Sequence, residues 1–335
     1  MHGRTIAWLN RRQVPLIAAV ADAAGLELIA AGSPEKGKTT AIAQDLGVEH
    51  ADDLRAVLAT ADADLVLIAD PGDFATGDSR DDAAVIHTAR ERGLRIATLE
   101  PIPPTALDLA AGGWLAGTGR SRPIDAINVC PLARHSGVFQ SAAEAMRHFS
   151  PCHALAIESW RTPVEGSLGA ALFAAADLVL SLMGEPESID AAYTDPAGSS
   201  TTPGETLRGL HGVLTANLRF AHGRVGSLIV GDHAARWNHS ATLLGEAGRL
   251  CIRDDGFEWI EPGGTTHECD SHGSTPPTAA HTIAGQLRRI LDPATPEPAP
   301  TDHAAILALA HAAVLSARTG HPESPATVRQ MAGAE

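Results

Sequence analysis

The sequence predicts an α/β protein in two parts: an N-terminal Rossmann-like parallel sheet, then an α+β part with a large, mostly antiparallel sheet. Over the first hundred residues, short apolar runs alternate with longer helical stretches, the pattern of a parallel sheet with crossover helices. From about residue 155 the pattern changes to strands joined by turns, which implies antiparallel pairing. The length, 335 residues, suits two domains better than one, and the parts divide at 1–122 and 123–335, with the last helices free to pack back on the first part.

Taken in order, the run RTIAWL reads as the first strand and VPLIAAVADAAG as the helix after it. LELIAAG precedes the helical stretch PEKGKTTAIAQDLG, a short strand VEH precedes DDLRAVLATA, and DLVLIADP precedes DDAAVIHTARERG. LRIATLEP closes a set of five strands. Gly25, Gly47 and Gly93 stand where those helices stop, since glycine accepts the left-handed cap conformation. The Gly- and Ser-rich block from Ala110 to Pro123 reads as the crossing between the parts. Seven further strands follow: HALAIESWR, ESIDAAYT, GVLTANLRFA, RVGSLIVGDHA, SATLLGE, GRLCIRD and GFEWIEP. A long helix, GAALFAAADLVLSLMGEP, lies among them, and helices around HTIAGQLRRIL and DHAAILALAHAAVLSARTG close the chain across the proline-rich connector DPATPEPAP.

Charge excludes some partners. Lys+Arg 25 against Asp+Glu 40 gives −15, a balance that repels phosphate backbones and anionic lipid, so neither nucleic acid nor membrane is expected. The longest apolar run contains Asp177 and suits a buried helix better than a bilayer span. The start MHGRTIAWLNRRQ has no signal-peptide apolar region, and Cys130, Cys152, Cys251 and Cys269 form no CxxC pair. The expectation is a cytoplasmic protein with reduced thiols that handles a small molecule.

A Rossmann-like half, a strand ending in Glu100-Pro101, a helix running into Leu182-Met183-Gly184-Glu185-Pro186, an antiparallel sheet with the turn LLGEAGRL and a terminal Ser316-Ala317-Arg318-Thr319-Gly320 occur in that order. Together they resemble the Gfo/Idh/MocA family, the glucose-fructose oxidoreductase and inositol dehydrogenase-like proteins. What the resemblance implies is an NAD(P)-dependent dehydrogenase acting on a sugar or cyclitol hydroxyl, assembled as a homodimer or higher homo-oligomer. The chain departs from that family at the positions that carry the chemistry. A dinucleotide site needs glycines in the first strand-to-helix turn, where the pyrophosphate approaches helix N-terminal amides. Here the turn reads Asn10-Arg11-Arg12-Gln13-Val14-Pro15. The acidic residue that holds the adenosine ribose is replaced by Ala31-Gly32-Ser33. Aligned on Pro101 and Thr105, Glu100 stands where the family has its lysine, and Ala174 stands for the histidine of a His-x-x-Asp whose aspartate is Asp177.

The candidate site follows. Glu100 and Asp177 are the acid/base candidates, each with the alternative of a capped or ion-paired structural carboxylate. Asn10, Arg11, Ser33, Asp70 and Pro71 are the positions a cofactor would meet, with Arg11 and Arg12 supplying charge in place of glycine. Arg134, His135, Arg161 and Trp237 are candidate contacts to a sugar-like ligand, and Trp237 alternatively packs between protomers. His267, Cys269, Asp270 and His272 in THECDSH are zinc-capable side chains, but their spacing is weak and the segment reads as an exposed loop, so no metal is assigned. Two functions remain open: a divergent oxidoreductase with altered cofactor and catalytic positions, or a non-catalytic binding or partner protein, or cofactor-independent enzyme, on the same fold.

Overall fold

The computed structural model describes residues 3–77, 79–117, 122–271, 277–292, 294 and 301–333. Among these residues the N-terminal parallel sheet has six strands, β1 (Arg4–Trp8), β2 (Glu27–Gly32), β3 (Glu49–Ala51), β4 (Leu65–Ile68), β5 (Arg95–Thr98) and β6 (Ile127–Val129), in the order β3-β2-β1-β4-β5-β6. Helices α1 (Val14–Ala24), α2 (Thr39–Leu46), α3 (Leu54–Thr60) and α4 (Arg80–Glu91) make the crossovers. α1 and α2 stop at Gly25 and Gly47, whose φ of 67° and 69° would strain any residue with a Cβ. The strand order reverses between β1 and β4, which opens a crevice at their carboxyl ends. The sequence suggests five strands and the structure has a sixth, because β6 is three residues long and too short to show a period. It carries the parallel sheet past residue 122.

Short helices α5 (Ala106–Ala111), α6 (Gly137–Ser141) and α7 (Ala143–His148) lead to a second sheet built from β7 (Cys152–Trp160), β8 (Ser188–Thr194), β9 (Val213–Arg219), β10 (Val225–Gly231), β11 (Asn238–Gly245), β12 (Gly248–Arg253), β13 (Gly256–Ile260) and β14 (Thr266–Ser271). Their order is β14-β13-β12-β11-β7-β10-β9-β8, with every neighbouring pair antiparallel except β7 and β10. The segment expected as an exposed loop, THECDS, is the edge strand β14 paired with β13. Its residues are nearly all exposed, so no alternation of apolar and polar residues marks it as a strand.

One face of this sheet is apolar, with Leu155, Ile157, Leu214, Leu228, Val230 and Leu243 buried against helix α8 (Leu168–Met183). That burial explains the alternation along GVLTANLRFA and RVGSLIVGDHA. The other face presents Ala156, Thr215, Asn217 and Ser227 to solvent. Helix α10 (His303–Thr319) packs on α8 and β8, α11 (Pro325–Met331) packs on α10, and α9 (Ala279–Leu291) lies on α1. α8 approaches the loop between β8 and β9 so closely that a Cβ on Gly169 would stand 1.9 Å from the Leu207 carbonyl oxygen. Leu168 N donates to Leu210 O (2.9 Å) and Leu207 N to Pro104 O (3.3 Å), so this loop is held between α8 and the segment after β5. All four cysteines are free thiols, and no helix among the described residues is long and apolar enough to cross a membrane.

A buried polar cluster sits between α8 and the start of α10. Arg134 pairs with Asp177 (Nε–Oδ2 2.8 Å) and donates to Thr301 Oγ1 (3.0 Å). Burial outweighs Arg134 and raises Asp177 to about 6. His303, tilted against Phe173 with ring centroids 5.7 Å apart, is lowered to about 4 by burial. The two groups act in opposite directions. Asp177 adds stability that is present below its unfolded value and lost as pH rises through about 6. His303 must stay neutral in the fold, so its contribution is lost as pH falls from 6.5 toward about 4, a loss of about 3 kcal/mol at 1.36 kcal/mol per unit. We expect wild type to lose about that much more stability than His303→Leu between pH 7 and pH 4, measured by urea unfolding at each pH.

Candidate functional site

Glu100 lies two residues past β5, at the end of the parallel sheet that faces the second sheet. Its backbone is tied by Thr98, whose Oγ1 donates to Glu100 O (2.7 Å) and accepts from Glu100 N (3.2 Å). Its carboxylate is held at the start of α8: Ser167 N donates to Oε1 (2.8 Å) and Ser167 Oγ to Oε2 (2.6 Å). Ser167 is the N-cap of that helix and also accepts from Ala170 N (3.1 Å). A helix N-terminus favours the ionised acid, as do the charges of Arg161 and Arg208. Burial is the larger effect, for Glu100 is 8 % exposed, and its pKa lies above the ordinary carboxyl range.

Arg161 follows β7 directly and is 1 % exposed. Its backbone is fixed on both sides, N donating to Gly231 O (2.9 Å) and O accepting from Ala234 N (2.9 Å). The guanidinium lies over Trp237 at 5.0 Å, and burial lowers its pKa to about 10, so it remains a cation. A Cβ on Gly166 would stand 3.1 Å from Arg161 Nη1 and 3.8 Å from Glu100 Oε1, which puts the two charges side by side without an ion pair between them. Arg208, on the clamped loop, donates to Gly72 O (3.0 Å), Phe74 O (2.5 Å) and Pro101 O (3.2 Å) and so joins that loop to the β4 and β5 ends.

The carboxyl end of β10 adds a third group. Asp232 is fully buried and accepts from His211 Nδ1 (2.5 Å), His233 Nδ1 (2.7 Å) and Gly212 N (2.8 Å). Burial pushes its pKa up, but these three bonds together hold it below the usual carboxylate range. His211 is raised in turn, first by the Asp232 bond, while Arg12 works against it. Both imidazoles have Nδ1 committed to one carboxylate, so Nε2 is the atom left to exchange a proton with a bound molecule.

The turn after β1 is closed by its own side chains. Asn10 Oδ1 accepts from Arg12 N (3.0 Å), and Gln13 Oε1 accepts from Asn10 N (3.1 Å). Gln13 is buried and its Nε2 donates to Ala69 O (3.0 Å), while Asn10 Nδ2 donates to Asp70 Oδ2 (3.0 Å). Arg11 N donates to Glu35 Oε2 (3.4 Å), and its guanidinium is 3.8 Å from Asp45. Ser33 Oγ accepts from Glu35 N (3.2 Å). Pro71 is buried at the β4 end, and next to it Gly72 touches the loop after β2: a Cβ there would stand 2.4 Å from Pro34 Cβ.

The structure therefore brings Glu100 and Arg161 together, with Trp237 behind the arginine, and gathers Asn10, Arg11, Ser33, Asp70 and Pro71 around the β1 end. It does not bring Asp177 to Glu100. Asp177 is ten residues beyond Ser167 on α8, about 15 Å along the helix, and is paired with Arg134. His135, lowered to about 4 by burial, sits beside Arg134, and its carbonyl accepts from Arg289 (2.9 Å). Trp237 is 5 % exposed and one face of its indole is covered by Arg161, so it neither opens to a sugar ring nor lies on the surface of the chain. His267, on the exposed edge strand β14, bonds to Glu261 (3.0 Å) and His272 lies outside the described residues; no group of three side chains placed to hold a metal ion occurs among the described ones. Ser167, Arg208, His211 and Asp232 escape the sequence analysis. Ser167 is marked only as a serine before an apolar helix, and Asp232 as an acid ending a strand beside glycine.

No family model and no curated relative matches the sequence. Solved structures do. A putative myo-inositol dehydrogenase from Sinorhizobium meliloti aligns with a TM-score of 0.61 and 19% identity over 96% of this chain and 99% of its own. An oxidoreductase from Agrobacterium radiobacter, solved with NAD+, L-tartaric acid and magnesium, aligns at 0.65 and 14% over 98% and 99%. A levoglucosan dehydrogenase, solved with NADH and L-sorbose, aligns at 0.63 and 15% over 97% and 99%. The chain has the two-sheet fold of these dehydrogenases.

Glu100 titrates in a site that favours its neutral form, so its contribution to stability is full below the unfolded value and declines as pH rises through the folded one. Glu100→Gln keeps an acceptor for Ser167 N and cannot ionise. The variant should hold its unfolding midpoint better than wild type as pH rises from 4 to 8, with denaturant midpoints across that range as the measurement.

Proposed function

We propose that this chain binds a small, polar, sugar-like molecule in the cleft between its two sheets, and does so without a nicotinamide dinucleotide. The observation that carries this is the β1 turn, where Asn10 and Gln13 use the backbone N–H groups that a pyrophosphate would take. Pro34 and Gly72 in contact narrow the same crevice, and Gln13 fills space that the fold's dinucleotide-binding relatives need for close backbone approach. The residues present do not fit that cofactor, and no step is derived through it. The ligands in the solved complexes, L-tartaric acid and L-sorbose, favour a compact polyhydroxylated molecule for the cleft.

A second role is favoured by Asp232. An imidazole held through Nδ1 by a buried, ionised carboxylate is oriented for proton transfer at Nε2, so His211 gives the cleft an acid–base group that needs no redox partner. Glu100, whose pKa burial raises above the ordinary carboxyl range, is the second acid–base group of the cleft. Asp177 is a structural acid in this scheme.

The solvent face of the second sheet carries Ala156, Thr215 and Ser227, with Val225 52% and Leu244 46% exposed. Small and apolar residues on a broad sheet suit face-to-face packing of a second copy, so the protein assembles as a homodimer through that face.

Two measurements test these statements. Calorimetric titration with NADH and with NADPH should give no saturable binding up to millimolar concentration, and micromolar binding of either would remove the cofactor-free assignment; Glu100→Lys should not restore dehydrogenase activity, since Ala174 and the closed turn remain. Light scattering at micromolar protein should give twice the chain mass, and Ala156→Arg should give the chain mass; a monomeric wild type rules out the dimer.

A further inference from the structure

We infer that the cleft ligand is an acid, held by its carboxylate on the guanidinium of Arg161. The inference rests on the assignment of the cleft as the ligand site and names the chemistry it takes. Arg161 is among the largest fully buried side chains of the protein, and its Nε is buried without a partner. Among the described residues its side chain makes no hydrogen bond and no ion pair. Arginine carries five N–H donors in a rigid fork that matches a carboxylate, and a fork whose Nε is buried without a protein partner suits an external acceptor.

The three acids whose charges reach Arg161 are each committed elsewhere. Glu100 is spent on Ser167, Asp232 on His211, His233 and Gly212, and Glu165 accepts from Thr162 N (2.8 Å). Trp237 covers a face of the guanidinium, and the backbone bonds to Gly231 and Ala234 fix its root, so the fork is aimed before any ligand arrives. A single negative charge suits the place better than two. Arg161 already faces Glu100, Glu165 and Asp232, so a doubly charged phosphate would meet more repulsion there than a singly charged carboxylate. A hydroxy acid of sugar size meets these conditions: the carboxylate on Arg161, and hydroxyls within the cleft that His211 lines.

The test is calorimetric titration of the full chain at pH 7 with the singly charged D-gluconate and D-galactonate, inorganic phosphate and the neutral polyol D-sorbitol, with NADH in a separate run. At least one of the two carboxylates should bind ten-fold or more tighter than D-sorbitol and tighter than phosphate. Arg161→Lys, which keeps the charge and loses the fork, should weaken it ten-fold or more while still melting cooperatively. Where Arg161→Lys does not fold, Trp237→Leu frees the guanidinium face and should weaken the same acid several-fold. Equal binding of acid and polyol, no binding of either acid, phosphate as the tightest probe, or an unchanged affinity in the folded variant each overturns the inference. NADH binding overturns the cofactor-free assignment alone, and the absence of both acid and NADH binding overturns only the carboxylate site.

Discussion

A buried carboxylate ties the parallel sheet to the helix that supports the second sheet. Glu100 leaves the parallel sheet and ends on the first amide and the hydroxyl of the helix that supports the antiparallel sheet. Everything else in the cleft is placed relative to that joint. Arg161 arrives from β7 and Arg208 from the loop pinned under α8, and both lie close enough for their charges to bear on Glu100. A buried acid beside a buried and a half-buried guanidinium is costly to assemble, and the fold offsets the cost with a helix terminus, stacked indole and backbone carbonyls in place of direct ion pairs. The result is a cleft whose charges are fixed in position but incompletely neutralised by one another.

The β1 turn shows a competition decided in favour of the chain itself. The first turn of a helix has free N–H groups, and whatever supplies acceptors at the right distance satisfies them. In glycine-rich turns there is room for an external phosphate. In this turn Asn10 and Gln13 are long enough to reach back, and each is anchored at its far end by Asp70 and Ala69 O. An incoming anion would have to displace bonds at both ends of both side chains. Ala174 and Glu100 lie in segments separate from this turn.

Most of the architecture was legible in the sequence because burial imposes a period. The strands β1, β2, β4 and β5 are runs of apolar residues between helical stretches, and β9 and β10 alternate because only one face meets α8. What escaped lacks that constraint: β6 is too short for a pattern, and β14 is an edge strand with exposed side chains. The site divides along similar lines. Glu100 was found because it ends a strand before three prolines, and Arg161 was named as a candidate ligand contact at the end of HALAIESWR. His211 and Asp232 are separated by a whole strand pair, and only the pairing of β9 with β10 brings them to one end of the sheet. Asp177 was singled out because it matches the aspartate of the family's His-x-x-Asp, with an ion-paired carboxylate as the alternative, and its partner Arg134, forty-three positions away, is visible only in the fold.

The contact between α1 and α9 has a consequence for how the chain is made. α1 buries Leu16, Ile17 and Val20, and part of their cover is Ile283 and Leu287, with Arg288 donating to Ala23 O (2.7 Å) at the helix end. During synthesis the parallel sheet leaves the ribosome complete by residue 129, yet one of its outer helices stays bare until residue 291 has followed. The N-terminal part thus completes the cover of α1 only with residues from α9, and until they emerge the nascent protein carries an exposed apolar stripe of the kind that favours aggregation.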